Sequence, residues 1–315
     1  MKCIRVPKSQ GEKVRQLLLR RDILVKNFKI AVDSTFIYFP VKEPLSGYDL
    51  VDCECEPRSP PPPSLQSMGM RSFDLIGDIA IVDIPLELQE KKQEIARILL
   101  ARNPIHTVVE QTSEISGQFR IRKHAYIAGE EKFQTTHTEY GLSFLVDINR
   151  VYFNPRLATE RMRVAQMVTE GEKIIDMFCG VGPFSIMVSH YSQAHIIYAI
   201  DINPCAIEYL KENIRMNICK NVVPICGDAR EEVSRIGKVD RIIMNLPHSA
   251  FEFLPEALLW GHFIQYYCIC ESVEKEKEKI RALGKDIDIP VTIQGQKLVK
   301  SYAPHMNMYR IDLCT

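Results

Sequence analysis

Ile174-Ile175-Asp176-Met177-Phe178-Cys179-Gly180-Val181-Gly182-Pro183-Phe184-Ser185 takes an apolar strand through a tight Gly-x-Gly turn and straight into a helix. Two glycines let the backbone turn sharply and come close to a bound molecule, and the amides at the start of the helix become available beside it. A dinucleotide fingerprint has a third glycine three residues after the second, and Ser185 stands there instead. Alone, the turn also fits a purely structural strand-to-helix junction, so the residues downstream decide.

Downstream, Ile196-Ile197-Tyr198-Ala199-Ile200-Asp201 is an apolar strand ending in a carboxylate, about twenty residues beyond the loop, where ribose hydroxyls can be bound. Val222-Val223-Pro224-Ile225-Cys226-Gly227-Asp228-Ala229 repeats the pattern, and Val239-Asp240-Arg241-Ile242-Ile243-Met244 leads into Asn245-Leu246-Pro247. One acid after one strand is ordinarily a helix cap. Four consecutive strand ends that each deliver a polar group describe a doubly wound parallel sheet with a ligand at its carboxyl edge.

This series resembles the class I S-adenosylmethionine-dependent methyltransferases. Asp176 through Gly182, with Phe178 and Gly180, stands as their first motif. Asp201 with Ile202 stands as the ribose acid, Asp228 with Ala229 lies beside adenine, and Asn-Leu-Pro forms the fourth motif. The resemblance implies S-adenosylmethionine, which has no pyrophosphate and suits a loop without the third glycine. An NAD reading ranks below it.

The chain has 315 residues and is 46% hydrophobic, ample for two or three domains. Ten cysteines occur without a paired C-x-x-C pattern, so neither a zinc framework nor a disulfide framework is expected. No apolar run approaches a membrane span, and the start lacks a signal-peptide core, so a soluble protein of the reduced cytoplasm is expected. Formal net charge is zero, yet residues 1–30 hold nine Lys/Arg against Glu12 and Asp22. Such a run is ordinarily a solvated face; beside an RNA-modifying centre it becomes a phosphate contact.

The organisation follows from composition and periodicity. Residues 1–56 read as a small module with a short strand, a helix near 10–22 and strands at Ile37-Tyr38-Phe39 and Leu50-Val51. Residues 57–70, with four consecutive prolines, read as an extended linker. Residues 71–165 read as an α+β segment: a strand over 74–83, a helix over about 88–101, and strands at 106–111, 118–127, 132–139 and 142–149. A helix then starts near Arg156 to Thr159. Residues 166–315 read as the doubly wound core, with helices near 183–190, 204–216, 249–258 and 271–283. Lys297–Tyr302 and Met308–Leu313 close it as an antiparallel pair.

Val151-Tyr152-Phe153-Asn154-Pro155-Arg156-Leu157-Ala158-Thr159-Glu160-Arg161-Met162-Arg163 is the most specific element of the chain. Taken as local physics, Asn154 or Thr159 caps a helix and the charges face water. It occurs here together with Gly117-Gln118-Phe119-Arg120-Ile121-Arg122, the glycine loop, Asn245-Leu246-Pro247 and Val299-Lys300-Ser301-Tyr302-Ala303-Pro304. In this combination it resembles the archaeal and eukaryotic tRNA (guanine-37, N1)-methyltransferases.

The resemblance implies catalysis by Arg120, Glu160 and Asn245. Guanine N1 is protonated at neutral pH, so a base must remove that proton, and Glu160 matches the family's general base. Arg120 matches the arginine that stabilises charge on O6. Arg161 and Asn245 fall at positions near the cofactor and target base, and Tyr152, Asn154, Pro155 and Pro247 shape the base pocket. His248 stands where related turns carry an aromatic ring, which favours a ring nitrogen over an exocyclic amine. The implied partner is tRNA, gripped at its anticodon loop by the core and at its outer corner by residues 1–56, with the protein a monomer. Two other readings stay open: a wyosine-pathway aminocarboxypropyl transferase on the same fold, and a non-catalytic RNA-binding protein.

Overall fold

The computed structural model describes residues 1–57, 65–66, 69–70, 72–113, 117, 119 and 121–315. They fall into two compact units, Met1–Met68 and Gly69–Thr315. The segment 71–165 and the core 166–315 therefore share one unit. Most of the expected linker, residues 58–64 and 67–68, lies outside the described residues, as do Gln118 and Arg120.

In the first unit, β1 (Lys2–Pro7), α1 (Gly11–Arg20), β2 (Ala31–Val32), β3 (Phe36–Pro40) and β4 (Asp49–Asp52) form an antiparallel sheet in the order β2-β3-β1-β4. Val14 and Leu18, one helical turn apart, lay α1 on Ile4, Val6 and Phe39. Of the nine basic residues before position 31, Lys2, Arg5, Arg15, Lys26 and Lys29 form surface ion pairs. Lys8, Lys13, Arg20 and Arg21 are exposed and make none among the described residues.

The second unit opens with β5 (Phe73–Ile76), β6 (Ile79–Val82), α2 (Lys92–Leu100), β7 (Thr107–Gln111) and β8 (His124–Gly129), whose sheet runs in that order. The single strand expected over 74–83 is a hairpin instead. Gly77 turns the chain at φ 56°, and a Cβ there would stand 2.6 Å from the Thr136 carbonyl oxygen, so only glycine fits. The expected helix over 88–101 begins as a 3-10 segment, Leu86–Lys91.

Next come the hairpin β9 (Gln134–Glu139) and β10 (Leu142–Asp147), then α3 (Ala158–Met167) after a 3-10 turn at Pro155–Leu157. The core follows as β11 (Lys173–Asp176), α4 (Pro183–Tyr191), β12 (Ile196–Asp201), α5 (Pro204–Met216), β13 (Val222–Cys226), α6 (Ala229–Ile236) and β14 (Val239–Met244). It finishes with α7 (Leu254–Trp260), β15 (Gly261–Cys270), α8 (Val273–Asp286), β16 (Thr292–Ala303) and β17 (Met306–Cys314). The sheet order is β13-β12-β11-β14-β15-β17-β16, with the first five strands parallel and β17 antiparallel to both β15 and β16.

Two elements of the core were absent from the sequence expectations. α6 is short and highly charged, and its start is set by Asp228, whose Oδ1 accepts from the Arg230 amide at 2.9 Å. β15 carries a β-branched and aromatic run, Phe263 to Ile269, which is the signal that could have revealed it.

Two asparagines join the hairpin to the core. On α5, Asn213 Oδ1 accepts from the Leu145 amide at 2.7 Å while its amide donates to the carbonyls of Leu145 and Val181. One turn on, Asn217 does the same for the amide and carbonyl of Ser143. The open edge of β10 is thus satisfied by helix side chains rather than by a further strand.

Candidate functional site

The order of the central sheet reverses between β11 and β14, which opens a crevice at the carboxyl ends of these strands. A cavity of about 710 Å³ occupies it, lined by Phe178 and Gly180 after β11, Asp201 and Ile202 after β12, Asp228 and Ala229 after β13, and Asn245 and Pro247 after β14. Tyr152, Asn154 and Pro155 line it from the segment ahead of α3.

The glycine loop is fixed by its own backbone. The Cys179 amide donates to the Ile200 carbonyl at 2.8 Å and the Gly182 amide to the Cys179 carbonyl at 2.9 Å. Gly182 sits left-handed at φ 86° and starts α4, and a Cβ there would collide with Leu210. Gly180, at φ 54°, has open space: a Cβ would meet only the Tyr152 carbonyl oxygen, at 3.6 Å. One glycine therefore serves the packing of the turn, and the other leaves room beside the cavity.

Asp201 links loop and strand. Its Oδ2 accepts from the Gly180 amide at 2.7 Å and its Oδ1 from the Asn203 amide at 2.9 Å, leaving lone pairs for hydroxyls in the cavity. Burial pushes its carboxyl above the ordinary range, and the two amides oppose that. Asn245 Oδ1 is buried with no hydrogen-bond partner among the described residues, which a bound molecule would supply. These groups fit an adenosylated ligand. A carboxylate stands ready for vicinal hydroxyls, apolar surface from Phe178, Ile202 and Ala229 suits a flat ring, and the cavity is also lined by Asn245 with its orphaned amide oxygen. Asp201→Asn should still accept from Gly180 but lose the charge-assisted bonds to ligand hydroxyls. Calorimetry should show S-adenosylmethionine binding weakened roughly tenfold or more; unchanged affinity would remove Asp201 from the site.

Asp176 does not line the cavity. It is fully buried under the loop, where its Oδ2 accepts from the Ser185 hydroxyl at 2.7 Å. Burial is the main reason its carboxyl is pushed up to about 7, with Asp201 adding to the effect and Ser185 opposing it. Because the folded value lies above the unfolded one, stability is greatest below the unfolded value near 4 and is lost as pH rises through 7. The span from 3.8 to about 7 corresponds to about 4 kcal/mol. Asp176→Asn should therefore melt above the parent at pH 8, with the gap closing toward pH 4. A gap independent of pH would contradict this account.

Glu160 and Arg161 are also placed behind the cavity rather than in it. Glu160 Oε1 accepts from the buried Tyr267 hydroxyl at 2.8 Å and from Arg310 Nη1 at 3.2 Å, while Arg163 grips both carboxylate oxygens. Arg161 pairs with Glu139 at 2.7 Å, donates to the Asn154 carbonyl at 2.7 Å, and packs over Phe153 and Phe184. Its guanidinium holds the wall of the pocket from behind. Arg120 lies outside the described residues.

Several lining residues stand outside the catalytic, cofactor-binding and base-binding sets that the resemblance implies. Arg122, Arg156 and Lys300 form a cationic wall, with Arg156 Nε 2.6 Å from Asp74. Burial, then Arg156 and Arg122, push the Lys300 ammonium below its usual range. Such a cluster suits phosphate. His248 lies edge-on to Tyr302 with ring centroids 5.2 Å apart, and Phe253 lies edge-on to Phe178 at 5.0 Å. Lys300 and Tyr302 stood in a quoted motif, and their position on β16 was the missing information.

Comparison with known proteins agrees with this architecture. The TRM5/TYW2 methyltransferase domain matches residues 135–292, the tRNA methyltransferase 5 N-terminal domain residues 3–49, and the TYW2 N-terminal domain residues 61–132. The chain is 41% identical to the tRNA (guanine(37)-N(1))-methyltransferase Trm5b of Pyrococcus abyssi, over 98% of each protein. Its fold matches that of aTrm5 solved in complex with tRNALeu, at 33% identity and a TM-score of 0.87, covering 100% of this chain and 99% of that one. It also matches Methanocaldococcus jannaschii Trm5 in complex with adenosine, at 32% identity and a TM-score of 0.67, with the same coverage. With the glycine loop, the strand-end acids and the sheet order in place, the chain belongs to the TRM5/TYW2 family of methyltransferases.

Proposed function

We propose that this enzyme transfers the methyl group of S-adenosylmethionine to N1 of guanine 37 in tRNA. The observation that carries the reading is one cavity lined by two chemically distinct sets of residues. Asp201, Gly180 and Asp228 suit an adenosyl group, Arg122, Arg156 and Lys300 suit RNA phosphate, and Asn245 lines the same cavity. When bound, S-adenosylmethionine supplies an electrophilic methyl group. The chain's own residues must then turn the base out of its loop, orient it, and take the N1 proton.

Tyr152, Asn154, Pro155 and Pro247 line the cavity at the place proposed for the base. Asn245 orients the base with its unsatisfied amide. Arg120 stabilises the charge that develops on O6. Glu160 is the proposed base, and this role requires its carboxylate to exchange Arg310 for the guanine when RNA binds. The exposed Lys8, Lys13, Arg20 and Arg21 of the N-terminal unit are proposed to meet the tRNA outer corner. The protein is proposed to act as a monomer in the cytoplasm; no helix among the described residues is long and apolar enough to cross a membrane.

The match of residues 61–132 to the TYW2 N-terminal domain supports one second reading, transfer of an aminocarboxypropyl group. Incubating the full chain with labelled S-adenosylmethionine and tRNA transcripts carrying guanine or another base at position 37 separates the two. Mass spectrometry of the modified nucleoside should find a single added methyl, on guanine-37 transcripts alone. An aminocarboxypropyl mass would establish the second reading, and no transfer to any transcript would leave a binding protein.

A further inference from the structure

We propose that Cys3, Cys53 and Cys55 form a binding site for one thiophilic closed-shell cation, Zn2+ or Cu+, in the N-terminal unit. All ten cysteines are free, and among the described residues only these three form a trio of sulfurs each within 4.8 Å of the others, with Cys3 Sγ 3.3 Å from Cys55 Sγ. A cation bonded to three thiolates at about 2.3 Å sets its sulfurs roughly 4 Å apart, within the spread found here.

The convergence follows from strand geometry. Past β4 the chain stays extended, pinned where the Cys53 amide donates to the Met1 carbonyl at 3.0 Å and the Lys29 amide to the Glu56 carbonyl at 2.8 Å. Side chains alternate along it, so Val51, Cys53 and Cys55 face inward while Asp52, Glu54 and Glu56 face water. Cys3, paired opposite Val51 on β1, is fully buried and meets the two cysteines from the side. A Cys-x-Cys pair on one face of an extended segment, joined by a third thiol from the neighbouring strand, gives a three-point chelate. A disulfide would use two of the sulfurs and leave the third without a role.

Soft thiolates select Zn2+ and Cu+ over hard cations. On binding, three S–H bonds break, three sulfur–metal bonds form and three protons pass to the buffer. Zn2+ would take a water as fourth ligand, whereas Cu+ is satisfied by three sulfurs. Either ion would fasten β1 to the segment that leaves β4 and fix the root of the proline-rich stretch.

The test uses the full chain, reduced and stripped with a chelator, then titrated anaerobically with Zn2+ and separately with Cu+ against a chromogenic competitor. One equivalent of at least one ion should bind, and hydrogen exchange in β1 and β4 should slow on binding. Cys53→Ser and Cys55→Ser replace half-exposed thiols. Each should weaken binding by at least the roughly 100-fold that loss of even an outer-sphere partner can cost, while Cys226→Ser should leave it unchanged. Equal binding by the parent and by a chain with all three cysteines changed to serine would overturn the site. So would failure of both ions to bind the reduced parent.

Discussion

Glu160→Gln is expected to slow single-turnover methyl transfer by about 10²–10⁴-fold, the usual contribution of a positioned base, while leaving S-adenosylmethionine affinity unchanged. Affinity should hold because Gly180, Asp201 and Asn245 line the cavity and Glu160 does not. The amide can still accept from the Tyr267 hydroxyl and from Arg310, and Arg310 keeps Asp312 at 2.6 Å, so the buried charges are not abandoned. Rapid-quench measurements with saturating tRNA, paired with melting curves, separate chemistry from folding. A variant of parental rate but lowered melting temperature would make Glu160 a purely structural member of the Arg163–Arg310–Tyr267 cage.

Arg161→Met is expected to act on stability, not on the cofactor. The Arg161 and Glu139 side chains are each about 2% exposed, and removing the guanidinium leaves that carboxylate, among the described residues, with His137 at 3.4 Å. Breaking a buried pair on one side costs about 3–5 kcal/mol, which for a unit of this size lowers the melting temperature by roughly 10 °C. Burial pushes the Glu139 carboxyl up, yet His137 and then Arg161 more than offset it, leaving it below the ordinary range. Because the folded value is depressed, the pair stabilises above the unfolded value near 4 and fades as pH falls through the folded one. The double variant Arg161→Met/Glu139→Leu should recover much of the loss. If S-adenosylmethionine affinity fell while the melting temperature held, Arg161 would belong to the cofactor site as the sequence resemblance implies.

The glycine loop, the acids after β12 and β13 and the Asn-Leu-Pro turn were legible because each is local. Strand, turn and ligand group lie within a dozen residues, and a strand's carboxyl end is by itself a statement about position. α5 was legible to the residue because Asn203 caps it, Oδ1 accepting from the Cys205 amide at 3.0 Å, and Pro204 follows at the first helical position. The hairpin at Gly77 was not, because an apolar run reads alike whether it continues or folds back. What forces the turn is contact with Thr135 and Thr136, some sixty residues away.

The sequence by itself determined the doubly wound sheet, the crevice at its switch point, the cofactor class that its strand ends suit and the family. Tertiary structure decided which polar residues face that crevice. Glu160 and Arg161 are neighbours in one motif, yet their partners, Arg310 and Glu139, lie 150 and 22 residues away. Lys300 reaches the cavity only because β16 closes the far edge of the sheet. A charged side chain takes its role from whichever opposite charge or open space folding brings beside it, and that pairing is a property of the packed chain, not of the motif.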